Sequence, residues 1–149
     1  TRVREIAERA APLRGFSTLS AQQVVLQSLV NPRTQTDTRA FLKDRVFGFG
    51  DELQTLGRSS QLVGLRLGFS PEPGDDSAFG LRIESFSADP RSLYIEVHGT
   101  FGPSSPESGL EALEHNVLKT YDFLAGRVLP FISSFDRREG GRNGSPGGD

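Results

Sequence analysis

The amino-acid sequence predicts an α+β domain in which a three-stranded antiparallel β-meander packs on a long C-terminal helix. Three short runs of alternating hydrophobicity follow one another at 61–69, 79–86 and 92–101, and alternation with a period of two is typical of half-buried strands. An amphipathic stretch then begins near Glu107 and carries apolar residues at helical spacing. Two or three N-terminal helices complete the predicted fold, and a fourth strand or a dimer partner could extend the meander.

Each predicted strand places its apolar residues on one face, which we expect to be buried beneath the C-terminal helix. The residues expected there are Val63, Leu65, Leu67, Leu81, Ile83, Ile95 and Val97. The connection 70–77 is polar and contains glycine, as hairpin loops do, and Asp89-Pro90-Arg91-Ser92 suits a type I turn. The 61–69 strand lies at an edge of the meander and has few charged residues to prevent pairing with another strand. We therefore expect this edge either to pair with a second copy or to be covered by residues 22–30.

The opposite face of the meander is the surface with the most functional promise. Like charges directly across two strands repel each other. Registers that place Arg82 opposite Glu96, or Glu84 opposite His98, are therefore favoured over one that pairs Glu84 with Glu96. This face is either solvated and held by cross-strand ion pairs, or it binds a partner or ligand. Its residues are Arg66, Arg82, Glu84, Tyr94, Glu96 and His98.

The C-terminal helix has the clearest start signal, because Ser104-Ser105-Pro106-Glu107 supplies a cap, a first-turn proline and an acid for the helix dipole. Pro130 removes a backbone donor and is expected to kink or end the regular helix near Leu129. The expected core stripe consists of Leu110, Leu113, Val117, Leu124, Val128, Phe131 and Phe135, widened by Leu118, Tyr121 and Ile132.

Three segments before the meander are predicted less directly. Apolar residues at helical spacing predict a first helix that ends near Ala11, before Pro12. A capping-box pattern at Ser20 favours a second helix over 22–30, although the β-branched residues there leave a strand open.

A third helix with Asp37 as its N-cap is predicted over 38–56. Gly48 and Gly50 leave open whether this stretch is one helix or two that break at FGFG, since each glycine disfavours a helix interior.

Length and composition bound the organisation of the chain. The 149 residues suit a single domain at 1–136, and the Gly/Arg-rich segment 137–149 is expected to be disordered because it has almost no apolar residue to bury. A net charge of −2 with no basic run argues against nucleic-acid binding. The absence of cysteine excludes disulfides and Cys-based metal sites. With no long apolar stretch and no signal peptide, we expect a cytoplasmic protein without a membrane partner.

Motifs that carry chemistry are almost absent. His98 and His115 could approach a metal only if the helix lay on the charged face, whereas it is expected to cover the other face. Gly48-Phe49-Gly50 lacks the rest of a nucleotide-binding fingerprint, and no G-x-S-x-G sequence occurs. We expect no cofactor and no metal, and the sequence favours a non-enzymatic protein over an enzyme.

At the level of architecture alone, helices that flank an antiparallel sheet resemble small dimeric secretion-chaperone-like domains. Fold analogy carries little information about function. The leading hypothesis is a non-enzymatic protein–protein interaction module, chaperone-like or adaptor-like, that binds a protein partner or itself as a homodimer. The alternative is a small-molecule-binding domain or hydrolase with a pocket between the C-terminal and N-terminal helices.

Overall fold

A four-stranded antiparallel sheet forms the centre of the protein in a computed structural model, which describes Arg9 and residues 21–48, 55–58, 62–104 and 106–137. Its order is β1-β4-β3-β2, so the predicted meander is confirmed and a fourth strand lies beside β4. The strands are β1 (Gln22–Val30), β2 (Gly64–Phe69), β3 (Ala78–Ser85) and β4 (Leu93–Phe101). Apart from Arg9 and Arg137, the first predicted helix and the 137–149 tail lie outside the described residues.

Residues 22–30 form strand β1, so the expectation of a helix there is wrong. Val24 is buried and Leu26 half-buried on the core side, while Val25 and Leu29 are exposed on the other. Pairing with β4 along all nine residues outweighs the local capping signal, because β-branched side chains suit a pleated surface. The strand covers the edge of β4 and not that of β2, so the expected cover of the 61–69 edge by these residues is also wrong.

The third predicted helix is short. Helix α1 (Thr38–Phe41) continues as one wider π-helical stretch, Leu42–Phe47. The Asp37 carboxylate caps it by accepting the N–H of Arg39 at 2.8 Å, as predicted. Gly48 ends it with a left-handed backbone (φ 57°), a conformation that glycine adopts without strain. A single helix over 38–56 is therefore wrong, and of the two alternatives the break at FGFG is confirmed, while most of the second helix of that alternative lies outside the described residues.

The C-terminal helix runs over 106–135 in three parts. Helix α2 (Pro106–Phe123) begins at the predicted proline, a π-helical stretch spans Leu124–Val128, and helix α3 (Leu129–Phe135) follows. Two outcomes were expected at Pro130, a kink or an end of the helix, and the end is wrong because helix α3 continues to Phe135. The wider turn just before it places Pro130 in the first turn of a new α-helical segment, where no backbone donor is needed.

The face that the C-terminal helix turns toward the sheet differs from the predicted stripe. Asn116 and Thr120 are buried, whereas Val117 and Leu118 are exposed. Helix and sheet approach closely here, because a Cβ atom on Gly99 of β4 would overlap the Thr120 hydroxyl. The stripe then continues at four-residue intervals through the buried residues Leu124, Val128 and Ile132. Of the other predicted stripe residues, Tyr121 and Phe131 are also exposed, and Leu113 and Phe135 are half-buried.

Polar residues are buried where the helix approaches the sheet, and each of them is hydrogen-bonded. Asn116 Nδ2 donates to Gln22 Oε1 at 2.9 Å, and Gln22 Nε2 donates to Ser104 Oγ at 2.6 Å. The Thr120 hydroxyl donates to the carbonyl of Asn116 at 2.7 Å. Satisfied polar groups of this kind can be buried without the cost of an unmade hydrogen bond.

The predicted core of the meander is confirmed in its centre and wrong at its outer edge. Leu81, Ile83, Ile95 and Val97 are buried, and Leu65 is half-buried. In contrast, Val63 is 64% exposed and Leu67 38% exposed. The first part of the C-terminal helix packs on β1 and β4, so its cover thins toward β2 at the opposite edge.

Candidate functional site

The structure brings the six predicted surface residues together on the open face of the sheet. Arg66, Arg82 and Glu96 lie directly opposite one another across β2, β3 and β4, which confirms the favoured pairing of Arg82 with Glu96. Glu84 lies opposite Tyr94, so the alternative pairing of Glu84 with His98 does not occur. These six residues, Arg66, Arg82, Glu84, Tyr94, Glu96 and His98, are called the open-face cluster below.

Glu96 is the centre of the open-face cluster. One carboxylate oxygen accepts the Tyr94 hydroxyl and the Gln27 side-chain amide, the latter at 2.8 Å. The other lies 2.8 Å from His98 Nε2 and 3.9 Å from an Arg82 nitrogen. Hydrogen bonds from Tyr94, His98 and Gln27 lower the pKa of Glu96 to about 2. Its negative charge is therefore stabilised by side chains from β1, β3 and β4.

Arg82 forms the second contact centre of this face. Its Nε and Nη2 atoms donate to the two oxygens of Glu84 at 2.6 and 2.5 Å, a bidentate pair that lowers the pKa of Glu84. The guanidinium also lies 5.7 Å from the centre of the Tyr94 ring. Arg66 reaches Glu84 at 3.8 Å, and 75% of its side chain is exposed.

The open-face cluster is mostly satisfied within itself. A shallow depression of about 330 Å³ lies over Gly80 and is bordered by Arg66, Arg82, Glu96 and His98. Apart from Arg66, the charged groups at its border already have partners at short distance. Among the described residues, no group of three His, Asp or Glu side chains could hold a metal ion. These contacts join neighbouring strands across the open face, and a partner surface on this face stays a prediction.

A second candidate site, which we did not predict from the sequence, lies on the other side of the sheet. A cleft of about 650 Å³ opens between the β2–β3 hairpin and the C-terminal helix. We call it the aromatic cleft. Its apolar lining is Leu67, Phe69, Phe79, Leu81, Phe123, Val128 and Phe131, and its polar lining is Ser70, Glu72, Asp75, Ser77 and Arg127.

Phe123 joins the helix to the hairpin inside the aromatic cleft. Its ring stacks on Phe79 with centroids 4.5 Å apart, and it meets Phe69 edge-on at 5.1 Å. Phe69 and Phe131 remain 39% and 38% exposed. Exposed aromatic residues in a concave surface are typical of binding sites, since a ligand can remove their apolar area from water.

The polar rim of the aromatic cleft is held in place by Asp75. Its carboxylate accepts Lys119 Nζ at 2.5 Å and the Ser77 hydroxyl at 2.6 Å, and these bonds hold the pKa of Asp75 well below its usual range. Gly74 turns the loop with φ 86°, and the backbone N–H of Asp75 donates to the carbonyl of Glu72 at 2.9 Å. Arg127 is exposed at the rim and forms no salt bridge with any described residue.

The aromatic cleft was missed because each of its phenylalanines is consistent with a core position in the sequence. Phe69 ends one apolar strand pattern, Phe79 begins the next, and Phe123 lies on a helix. The available signal is their placement at one end of a hairpin, around the loop 70–77. It becomes informative only when the helix is known to lie over β1 and β4.

No described helix is long and apolar enough to cross a membrane. No protein family, no curated protein and no solved structure matches this chain in the comparisons. The function is therefore argued from the two surfaces described above.

Proposed function

We propose that this protein is a non-enzymatic interaction module that binds an extended segment of a partner protein in the aromatic cleft, along the edge of β2. The observation that carries the proposal is the combination of exposed phenylalanine rings with an edge strand. Phe69 belongs to both, because it lines the cleft and ends β2. Addition of a strand to a sheet edge uses main-chain hydrogen bonds for affinity and pockets for specificity.

The backbone of β2 supports strand addition. The Ser85 N–H donates to the Val63 carbonyl at 3.1 Å, so odd-numbered residues of this strand point their backbone groups toward β3. Antiparallel pairs alternate, which directs the backbone groups of Gly64, Arg66 and Gly68 outward. A Cβ atom at Gly68 would meet nothing within 4 Å, so there is space beside this position.

The charges of the rim indicate the chemistry of the partner. Asp75 is neutralised by Lys119, whereas Arg127 has no acidic partner among the described residues. A segment with apolar side chains at alternate positions and an acidic residue near one end would fill the cleft and pair with Arg127. We also propose a cytoplasmic location, which the lack of cysteine supports.

Selection from a displayed library of random ten-residue peptides tests this proposal. We expect enrichment of peptides with alternating apolar residues and one acid. Gly68→Pro should abolish their binding, since proline removes an outward N–H and leaves the β2–β3 hydrogen bonds intact. Arg127→Glu should weaken it, and Arg91→Ala, in the turn between β3 and β4, should leave it nearly unchanged.

The melting temperature of Gly68→Pro is the control for folding. Peptides that bind wild type and a well-folded Gly68→Pro variant equally would disprove strand addition. Failure to enrich any sequence family would disprove the proposal as a whole.

A small apolar molecule is a second candidate occupant of the same cleft, favoured by its volume of about 650 Å³, a typical size for ligand pockets. The cleft lies between the C-terminal helix and the β2–β3 hairpin, and no residue of helix α1 is among its described lining residues. No histidine is among its described lining residues, and its acids are Glu72 and Asp75, of which Asp75 is already bonded to Lys119 and Ser77. The geometry therefore supports binding more directly than hydrolysis. Titration with 8-anilinonaphthalene-1-sulfonate, an apolar anion, tests this candidate, and Arg127→Ala should weaken the fluorescence response.

A further inference from the structure

Strand β1 forms the other edge of the sheet, and its sequence has none of the features that usually protect an edge. The strand QQVVLQSLV contains no charged residue, no proline and no glycine over nine residues. At about 3.3 Å per residue it presents an edge roughly 30 Å long. Natural edges are usually shortened, bulged, charged or covered, because an exposed row of backbone groups pairs readily with another strand. β2, in contrast, is shorter and carries Arg66 and two glycines.

The exposed side chains of β1 add apolar area to this edge. Val25 and Leu29 are 43% and 54% exposed on the open face of the sheet. On the same face Gln23 precedes Val25, and Gln27 lies between Val25 and Leu29; both glutamines are also exposed. β4 pairs with one side of β1, and no described strand pairs with the other.

We propose that the free edge of β1 pairs antiparallel with β1 of a second copy of this chain, about a two-fold axis at Leu26. Two sheets of four strands would then form one continuous sheet of eight. The two outer β2 edges and both aromatic clefts remain accessible in this dimer, so the inference stands independently of the proposed function.

A second copy is the partner that the chemistry of the strand favours. Two-fold pairing at Leu26 sets Gln23 opposite Leu29 of the partner subunit and Val25 opposite Gln27 of the partner subunit. The diagonal neighbours of Val25 are then Val25 of the partner subunit and Leu29 of the partner subunit, which gives apolar contacts across the axis. No like charges meet, because the strand has no charge.

Light scattering over a range of protein concentrations, together with a pair of charge variants, tests the dimer and its register. Wild type should show concentration-dependent dimerisation. The double variant Gln23→Glu/Leu29→Glu places two pairs of acids directly opposite each other and should raise the dimer dissociation constant by roughly tenfold or more. The double variant Gln23→Lys/Leu29→Glu places opposite charges at the same two pairs and should restore dimerisation.

Within one copy, residues 23 and 29 are about 20 Å apart along the strand, so the two variants differ little inside the monomer. Equal melting temperatures at dilution would show that both variants fold. A wild-type chain that stays monomeric at every concentration would overturn the inference. So would a dimer that both charge variants weaken equally.

Discussion

Asp136 and Thr34 are 102 residues apart in the chain, yet the carboxylate of Asp136 accepts both the backbone N–H and the hydroxyl of Thr34, at 2.9 and 2.7 Å. The N–H of Arg33 donates to the same carboxylate at 2.8 and 2.9 Å. One side chain thus fastens the end of the C-terminal helix to the loop that follows β1. Burial alone would raise the pKa of Asp136, but these hydrogen bonds outweigh it and the pKa is lowered.

Asp136→Ala is expected to destabilise the protein by about 1–3 kcal/mol, because the partly buried N–H and hydroxyl of Thr34 lose their acceptor. The free energy of unfolding from urea melts measures this loss. Asp122→Ala, at an exposed position of the same helix, is the control and should cost well under about 1 kcal/mol. Similar losses in the two variants would show that the anchor at Asp136 does not contribute to stability.

Two truncations check the same anchor from the end of the chain. Removal of residues 138–149 keeps Asp136 and deletes no periodic apolar residue, so the melting temperature should stay within a degree or two of full length. Removal of residues 136–149 also deletes the anchor and should lower it by several degrees, about 2–4 °C per kcal/mol in a chain of this size. A large drop in the first truncation would contradict the sequence-based boundary at residue 136.

Leu124→Ala should cost about 2–5 kcal/mol, since Leu124 is buried in the main hydrophobic core where the helix changes from α to π geometry. Leu118→Ala is the matched control, because the same side chain lies on the same helix but is 62% exposed. It should cost less than about 1 kcal/mol. Denaturant melts compare the two. A loss of about 2–5 kcal/mol in both variants would mean that Leu118 is buried as well, as the sequence predicted.

The meander could be predicted because alternation constrains a strand strongly when one face is buried. Leu81 and Ile83 of β3 and Ile95 and Val97 of β4 alternate with polar residues, and all four are buried. The open-face cluster follows from the same alternation, since fixing one face of a strand also fixes the other. Charge left two registers open, Arg82 opposite Glu96 or Glu84 opposite His98, and the structure has the first.

The remaining features depend on contacts between distant segments. Whether 22–30 is a helix or a strand is decided by its pairing with β4, which a local capping pattern cannot indicate. The buried face of the C-terminal helix depends on Gly99, because only a glycine there admits Thr120 so close to the sheet. The aromatic cleft depends in turn on where that helix lies. The spacing of apolar residues within the helix sequence indicates neither its approach to Gly99 nor its position over the sheet.

Gly99→Ala tests the close approach of helix and sheet. A Cβ atom there would overlap the Thr120 hydroxyl and the Phe101 ring, so we expect a loss of about 1–3 kcal/mol. Gly80→Ala is the control in the same sheet, where the nearest atom, His98 Cβ, is 3.6 Å away in ordinary contact. That variant should be neutral or slightly stabilising, since alanine restricts the unfolded chain. Urea melts that show equal effects would mean that the helix lies farther from β4 than described.

Glu96→Gln tests whether the open-face cluster stabilises the fold through the charge of Glu96. Its pKa is about 2 in the folded protein against an ordinary value of 4.5, so folding favours the ionised form. A lowered pKa contributes stability above the unfolded value, and that contribution is lost as the pH falls from about 4.5 toward about 2. Glu96→Gln should therefore be less stable than wild type near neutral pH, and the difference should shrink toward zero near pH 2.

Urea melts of both proteins at several pH values within that range provide the measurement, with Asp122→Asn as the exposed control. A stability difference that stays constant from neutral pH down to about pH 2 would mean that the Glu96 charge plays no part, and that the glutamine acts only through altered hydrogen bonds to Tyr94 and His98.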